Sequence, residues 1–347
     1  IMEYIHLTIT LRQLIVAILD STKKKSTIIH LLDYQFIPFN IRYLLIRKFP
    51  NIEFIFTKEK TELISFNSCN ENRTTFLSRN ISINRFKFKT INNWKPSILH
   101  QKTYNIGYIY HSGPFYSKLI RNICDEIILR EDGLSNYMEY SVPIIKGIIR
   151  CILYRVNPKK QVWGDESWIS KIEVETPNKL PLSVRYKGSE FKFAKLISLN
   201  KNNQQLKRLL SCFDINFNNR NNSESALILT QPIDIDGYCS KNDKLVIYGK
   251  IINLFNDRNI IVYMKNHPRE KQYQLPSVYT LPHIFPMELL PYCLEQKFKY
   301  CIALCSTALS LNDHSIAENE IQVIPLEKFR KEYFPCWSDY IDKIKLS

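Results

Sequence analysis

The sequence has little glycine, little proline and no paired cysteines, and each shortage excludes a class of protein. With 8 Gly and 16 Pro in 347 residues, collagen-like and linker-like chains are excluded. The nine cysteines stand singly without a CxxC pair, which indicates reduced thiols in a cytosolic protein and not a disulfide framework or a zinc site. No apolar run reaches the ~18 residues that a membrane-spanning helix needs.

The residues that are present indicate a basic globular protein. Hydrophobic residues make up 45% of the chain, enough to fill real cores, and 347 residues fit two compact domains. Lys and Arg total 48 against 33 Asp and Glu, which gives a formal charge of +15. Such a surface favours phosphates, nucleic acid or anionic lipid. The first apolar segment lacks the cleavage site of a signal peptide, so we expect a soluble, cytoplasmic protein.

Segments with strand and helix periodicity alternate along the chain. Tyr4–Ile9 is apolar and β-branched, and apolar residues from Leu11 to Leu19 then recur at helical spacing. Further strands are predicted at Ile28–Leu32, Asn105–Tyr110, Glu126–Leu129, Ala226–Leu229, Ile260–Met264, Val278–Leu281, Tyr300–Leu304 and Ile321–Ile324, and further helices from Phe115, at Asp243–Phe255 and at Met287–Leu290. This alternation predicts an α/β fold built from βαβ units with parallel sheets.

Changes in composition divide the chain into four segments. Residues 1–190 and residues 226–325 are predicted to form two Rossmann-like domains. Between them, residues 191–225 are rich in Asn, Lys and Arg and are interpreted as an interdomain region. Residues 326–347 carry apolar side chains near helical spacing, interrupted by Pro335, and predict a kinked helix that crosses back to the first domain.

Three polar segments follow predicted strands, where ligands bind in open α/β sheets. Glu131-Asp132-Gly133 offers two carboxylates, one of which could take a proton from a hydroxyl. Lys265-Asn266-His267-Pro268 offers an imidazole donor and a cation for a phosphate. Ser306-Thr307 offers hydroxyls at the start of a helical turn. Each segment alone also has a plain structural interpretation, as a solvated turn, a surface loop or a helix cap.

The order of these segments resembles the bacterial sialyltransferases of the GT-B type, which carry an acidic-acidic-Gly motif, then a His-Pro motif, then a Ser-Ser/Thr motif. The surrounding residues Leu229-Thr230-Gln231-Pro232, Tyr248, Lys265-Asn266-His267-Pro268-Arg269-Glu270, Phe285-Pro286-Met287-Glu288-Leu289-Leu290 and Cys305-Ser306-Thr307-Ala308-Leu309 are similar to those of glycosyltransferase family 52 and the capsular polysialyltransferases. The resemblance covers most of the second domain and isolated points of the first. It implies two Rossmann-like domains facing across a cleft.

The resemblance also implies roles for single residues. Glu131 would be the general base and Asp132 an assisting carboxylate, although the sequence leaves open which of the two is the base. His267 would act in catalysis and, with Ser306 and Thr307, would hold the donor phosphate. The full set of implied donor-binding residues is Gly133, Gln231, Pro232, Lys265, His267, Pro268, Pro286, Glu288, Ser306 and Thr307.

The implied function is inverting, metal-independent transfer of a sialic acid or related nonulosonic sugar from its CMP donor to a hydroxyl of a bacterial surface glycan. Negative charge accumulates on the departing phosphate, so donors must point at it, while one carboxylate lies near the attacking hydroxyl. The acceptor would be an oligosaccharide, a lipopolysaccharide or a capsule chain. No cofactor beyond the donor is expected. A Kdo transferase that uses CMP-Kdo, or a non-catalytic glycan- or nucleic-acid-binding protein, are the alternatives.

Several other features favour structural interpretations. Asp234-Ile235-Asp236 is a DxD string, a short motif that arises easily by chance, and Cys301 and Cys305 lie within an apolar strand. His111 follows a strand beside Gly113 and is the other histidine worth testing. Arg85-Phe86-Lys87-Phe88-Lys89 alternates as nucleic-acid-binding strands do, but no nucleic-acid-binding module fits the βα order. We therefore expect no nucleic acid, and attraction of the basic surface to the inner face of the anionic membrane.

Overall fold

A computed structural model describes residues 2–21, 24–61, 102–200, 204–213, 224–271, 273, 275–292, 294, 296–306, 309 and 315–346. The chain divides into two compact units, Ile1–Cys212 and Phe213–Ser347. Their boundary falls inside the segment 191–225. Two helices of that segment, Phe193–Asn200 and Gln204–Leu210, belong to the first unit, and the first of them packs on the helix that follows the first strand.

The first unit contains nine described strands and six described α-helices. The strands are β1 (Glu3–Thr8), β2 (Lys25–Leu31), β3 (Ile52–Thr57), β4 (Tyr104–Ile109), β5 (Cys124–Arg130), β6 (Glu139–Ser141), β7 (Lys160–Val162), β8 (Lys171–Val174) and β9 (Gly188–Glu190). The helices are α1 (Leu11–Asp20), α2 (Phe39–Lys48), α3 (Phe115–Arg121), α4 (Ile144–Tyr154), α5 (Phe193–Asn200) and α6 (Gln204–Leu210). Short 3-10 helices span Leu134–Tyr137, Pro177–Lys179 and Arg185–Lys187.

Seven of these strands form one parallel sheet in the order β3-β2-β1-β4-β5-β8-β9. The inner strands are apolar at successive positions because helices cover both faces of a parallel sheet. The strand order reverses between β1 and β4, which is the topological switch point where such sheets bind ligands. Helix α1 starts there with a capping box, in which Thr10 accepts from the backbone N–H of Gln13 and Gln13 accepts from that of Thr10.

The second unit repeats the scheme with fewer strands. The strands are β10 (Ser225–Leu229), β11 (Ile261–Lys265), β12 (Tyr279–Thr280), β13 (Phe298–Ala303) and β14 (Ala317–Gln322), and the helices are α7 (Lys241–Asn256) and α8 (Trp337–Asp342). Short 3-10 helices span Met287–Tyr292, Leu326–Lys328 and Lys331–Cys336. The strands form a parallel sheet in the order β12-β11-β10-β13-β14, so every residue of the central strand β10 is buried.

The C-terminal segment packs on the second unit, where α8 contacts α7. Its return to the first domain, which the sequence predicted for residues 326–347, stays a prediction. Trp337 is fully buried in the core of the second unit, where its ring stacks on that of Phe329 with 4.9 Å between the ring centroids. Its indole N–H donates to the carbonyl oxygen of Lys328 at 3.1 Å. The aromatic residues of this segment therefore pack on one another and on the core of the second unit.

The predicted fold class is confirmed, since both units are α/β with parallel sheets in Rossmann-like strand order. Within the part of the chain that the structure describes, no helix is long and apolar enough to cross a membrane. Two sequence predictions lie outside the described residues, namely the role of Thr307 and the alternating segment from Arg85 to Lys89.

Candidate active site

The acidic segment lies where the sequence predicted it, directly after β5. The backbone N–H of Glu131 donates to the carbonyl oxygen of Glu173 at 2.9 Å and so extends the pairing of β5 with β8 by one residue. Gly133 then adopts φ 126° and ψ −156°, a conformation that L side chains rarely take. A Cβ at Gly133 would meet no atom within 4 Å, so the glycine is required by its backbone and not by crowding.

Glu131 is fixed by two donors from neighbouring chain segments. Its Oε2 accepts from the hydroxyl of Tyr137 and from the backbone N–H of Glu175, each at 2.6 Å. The same tyrosine hydroxyl accepts from the backbone N–H of Thr176 at 3.2 Å. These contacts hold the carboxylate at the edge of the sheet in one orientation.

Asp132 lies in a different environment. Its Oδ1 accepts from the side-chain amide of Gln13 at the start of α1, and its backbone N–H donates to Asn136 Oδ1 at 2.9 Å. Burial raises the pKa of Asp132 to about 6, although the Gln13 amide and the charge of Arg12 oppose that rise. Two adjacent carboxylates thus have unlike surroundings, which is a common arrangement in acid–base sites.

A small pocket lies beside this acidic segment. Its walls come from residues that follow β1, β4, β5, β8 and β9, at the edge of the sheet formed by the carboxyl ends of the strands. The lining residues are Arg12, Gln13, Val16, Tyr110, Glu131, Glu175, Phe191 and Phe193. Glu131 therefore faces a cavity of the first unit, and Phe191 and Phe193 come from the segment that the sequence assigned to the interdomain region.

Arg130, the last residue of β5, holds the start of the acidic segment in place. Its guanidinium donates to Asp20 at 2.9 Å and to Glu173 at 2.8 Å, and it lies between the rings of Tyr108 and Phe191, at 3.9 and 4.4 Å from their centroids. The side chain is 3% exposed. A buried cation with two carboxylate partners and two aromatic faces fixes the end of β5 and hence the direction of Glu131.

In the second unit, the residues after β10, β11 and β13 are close together because these three strands are neighbours in the sheet. Thr230 and Gln231 follow β10, His267 follows β11, and Ser306 follows β13. The sequence predicted that these positions belong to one site, and the strand order brings them to one edge. This edge is where the phosphate-binding groups of the second unit would lie.

His267 is half-buried, and its hydrogen bonds define its tautomer. The backbone N–H of Arg269 donates to His267 Nδ1 at 3.2 Å, so Nδ1 is an acceptor and the ring proton of the neutral imidazole is on Nε2. Burial lowers the pKa of His267, against the opposing charge of Glu270. A neutral imidazole with Nε2–H can donate one hydrogen bond to a phosphate oxygen.

Glu270, to which the sequence pattern assigns no role, organises this loop. Its Oε2 accepts from the backbone N–H of His267 at 2.7 Å and from the Thr230 hydroxyl, while its Oε1 accepts from Lys244 Nζ. Glu270 is 4% exposed and Lys244 is 3% exposed, so this ion pair is buried. The sequence held one signal for this role: Glu270 follows His267 by three positions, the spacing at which the two ends of a tight turn meet.

Gln231 has a structural contact that the prediction of a donor-binding role did not include. Its side-chain amide pairs with the backbone of Cys305, accepting from the N–H at 2.7 Å and donating to the carbonyl oxygen. Its own backbone N–H donates to the Tyr248 hydroxyl at 2.8 Å. Gln231 thereby joins the end of β10 to the end of β13, and so places Ser306.

The remaining predicted residues occupy varied positions. The Nζ of Lys265, a side chain only 3% exposed, donates to the carbonyl oxygen of His283 at 2.6 Å, so its ammonium stabilises the loops from inside. Pro232 and Pro286 are buried and Pro268 is exposed. Glu288 lies in the 3-10 helix Met287–Tyr292, and its side chain is outside the described set.

Two of the other features singled out in the sequence have ordinary partners. Asp234 pairs with Lys244 at 2.7 Å, and Asp236 pairs with Arg269. Burial would raise the pKa of Asp234, but Lys244 holds it below its usual value. His111 packs edge-on against Trp163 and accepts from the backbone N–H of Gly113. Among the described residues, no group of three or more His, Cys, Asp or Glu could hold a metal ion.

Comparison with known proteins identifies the family. The alpha-2,8-polysialyltransferase (POLYST) family matches residues 32–315, which is most of the chain. The chain belongs to this family. That membership confirms the predicted class, a sialyltransferase-type glycosyltransferase, while glycosyltransferase family 52 stays a prediction.

Two further matches are more limited. An uncharacterized protein of Haemophilus influenzae (strain ATCC 51907 / DSM 11121 / KW20 / Rd) is 35% identical over 88 residues, which are 24% of this chain. The match spans only 28% of the length of that curated relative. The UDP-GlcNAc 2-epimerase of Methanocaldococcus jannaschii, solved in complex with UDP-GlcNAc and UDP, aligns with a TM-score of 0.45 at 9% identity, covering 99% of this chain and 94% of that one.

Proposed function

We propose that this polysialyltransferase-family protein transfers a sialic acid, or a related nonulosonic sugar, from its CMP donor to a hydroxyl of a bacterial surface glycan. The observation that supports the proposal most is the position of His267 among the ends of β10, β11 and β13. There a neutral imidazole donor and the Ser306 hydroxyl lie at the carboxyl edge of a parallel sheet. Donors of this kind stabilise the negative charge that develops on a departing phosphate.

We assign the general base to Glu131. A base must first be within reach of the proton that it takes, and Glu131 lines the pocket of the first unit. The donors from Tyr137 and Glu175 both bond Oε2 of Glu131 and so hold its carboxylate in one orientation. Attack by the activated hydroxyl on the anomeric carbon, with departure of CMP on the opposite side, inverts the configuration.

Asp132 is the second candidate for the base, and one observation favours it. Burial raises the pKa of Asp132 to about 6, close to the pH at which a general base must work. In our assignment Asp132 positions the turn through its contacts with Gln13 and Asn136. Separate substitutions of the two carboxylates distinguish the assignments.

A donor panel tests the reaction. The protein is incubated with CMP-sialic acid or CMP-Kdo and a sialylated oligosaccharide acceptor, and release of CMP and elongation of the acceptor are measured. We expect CMP-sialic acid to be consumed with the acceptor. Consumption of CMP-Kdo alone would identify a Kdo transferase, and binding without turnover of either donor would identify a glycan-binding protein.

Glu131→Gln tests the base. We expect it to lower kcat by about 10²–10⁴-fold, the usual contribution of a general base, with CMP affinity unchanged. Glu190→Gln, at an exposed position of β9, is the matched control and should have full activity. If Glu131→Gln is active and Asp132→Asn is not, Asp132 is the base.

A further inference from the structure

The surface of α4 exposes a stripe of isoleucines. Ile144, Ile145, Ile148, Ile149 and Ile152 are 79%, 76%, 50%, 52% and 75% exposed. At 3.6 residues per turn these positions fall on one continuous face of the helix. Together they expose the surface of more than three whole isoleucines, and contiguous apolar patches of that kind mark interaction sites.

The opposite face of α4 fixes the helix with this stripe outward. A Cβ on Gly147 would lie 1.8 Å from the carbonyl oxygen of Pro158, so only glycine permits this close approach. Arg150 is 7% exposed and donates to both carboxylate oxygens of Asp165, at 2.9 and 3.2 Å. The isoleucines are therefore exposed on a firmly packed helix.

The chain segments before and after α4 pair with each other. Strand β6 precedes the helix and strand β7 follows it, and the two pair antiparallel with Glu139 opposite Val162. The backbone N–H of Val142 adds a further bond to the carbonyl oxygen of Lys159 at 3.2 Å. The helix and its connections thus form a single projecting excursion from the first unit.

The segment that carries the stripe is basic. From residue 140 to residue 164 the sequence contains five basic residues and no Asp or Glu. Arg150 pairs with Asp165 and Lys160 pairs with Glu139, whereas Lys146, Arg155 and Lys159 are exposed. An apolar helical face with basic flanks is the pattern of helices that lie in the interface of an anionic membrane.

We propose that α4 docks the protein on an anionic lipid bilayer, with its isoleucines among the acyl chains and Lys146, Arg155 and Lys159 at the headgroups. A second copy of the chain fits this surface less well. Two-fold packing of α4 on α4 would bring basic flanks together, and residues 140–164 offer no acidic residue to pair with them. Docking needs neither donor nor acceptor, so it stands or falls separately from the proposed reaction.

Co-sedimentation with vesicles tests the docking. The full chain is mixed with phosphatidylcholine vesicles that contain or lack phosphatidylglycerol, at low and high salt. We expect binding to the anionic vesicles that weakens with salt, and little binding to the neutral ones. The variant Ile144→Ser/Ile148→Ser/Ile152→Ser should bind the anionic vesicles at least about tenfold more weakly, because its apolar face is interrupted.

Matched variants make the result specific. Leu182→Ser/Val246→Ser removes two exposed apolar side chains elsewhere, 77% and 60% exposed, and should bind as the unmodified chain does. Lys146→Gln/Lys159→Gln should lower binding to the anionic vesicles and reduce its salt dependence. Equal binding by the isoleucine variant overturns the proposal. The proposal is also overturned if the unmodified chain does not bind vesicles and is a dimer by light scattering, while the isoleucine variant is a monomer.

Discussion

The backbone N–H of His267 donates to Oε2 of Glu270 at 2.7 Å, from a residue three positions earlier in the chain. The same carboxylate accepts from Thr230 after β10 and from Lys244 on α7. Glu270 therefore joins the loop after β11, the loop after β10 and the helix between them. The orientation of the imidazole in the proposed donor site depends on a buried carboxylate that does not itself need to touch the donor.

Glu270→Gln should weaken both the fold and donor binding. Removing one partner of a buried ion pair costs about 3–5 kcal/mol, because Lys244 keeps a buried charge with less compensation. We expect a lower free energy of unfolding in urea and at least tenfold weaker CMP binding by calorimetry. Glu318→Gln, on an exposed position of β14, is the control. Weaker folding with unchanged CMP affinity would show that Glu270 serves stability alone.

Asp132 should make the stability of the protein depend on pH. Its pKa is about 6 in the folded protein against 3.8 for the unperturbed group, so the folded state binds the proton more tightly than the unfolded chain does. The free energy of unfolding should therefore fall as the pH rises from about 4 to 6, by about 2–3 kcal/mol from this group.

Asp132→Asn removes that titration while keeping an amide oxygen for Gln13. The difference in unfolding free energy between the variant and the unmodified chain should grow from pH 4 to pH 7, in favour of the variant. Urea denaturation at several pH values measures it. A constant difference across this range would contradict the raised pKa.

Arg130→Leu should destabilise the first unit strongly. The substitution leaves Asp20 and Glu173 without their shared cation and removes the stacking on Tyr108. A loss of about 3–5 kcal/mol in unfolding free energy is expected for a buried charge network broken on one side. Arg121→Leu, at the exposed end of α3, should change stability by less than about 0.5 kcal/mol. Comparable losses in the two variants would refute a special role for Arg130.

Asp234 and Asp236 should not serve as metal ligands in the transfer reaction. Each carboxylate is paired through Oδ1 with a cation, Lys244 or Arg269, with which a divalent ion would have to compete. We expect the rate with CMP-sialic acid to be unchanged in excess EDTA and in Asp236→Asn. Loss of activity in EDTA, restored by manganese, would contradict this expectation.

Most of the fold could be predicted because its signals are local. The predicted strand Ile260–Met264 is observed at Ile261–Lys265, and the predicted helix Asp243–Phe255 at Lys241–Asn256. Apolar periodicity within a few residues determines such elements. The return of the C-terminal helix to the first domain stays a prediction, because periodicity shows that a face is buried but not against which partner.

The candidate residues were found by their positions after strands, and their working environments were not. The sequence alone determined that Glu131, His267 and Ser306 follow apolar strands, since local pattern and chain order suffice for that. Only the tertiary structure decided that Gln13 contacts Asp132 across 119 residues and that Gln231 pairs with Cys305 across 74. Such partners depend on which strands become neighbours in a parallel sheet, and that order is set by the packing of the whole unit rather than by any segment of it.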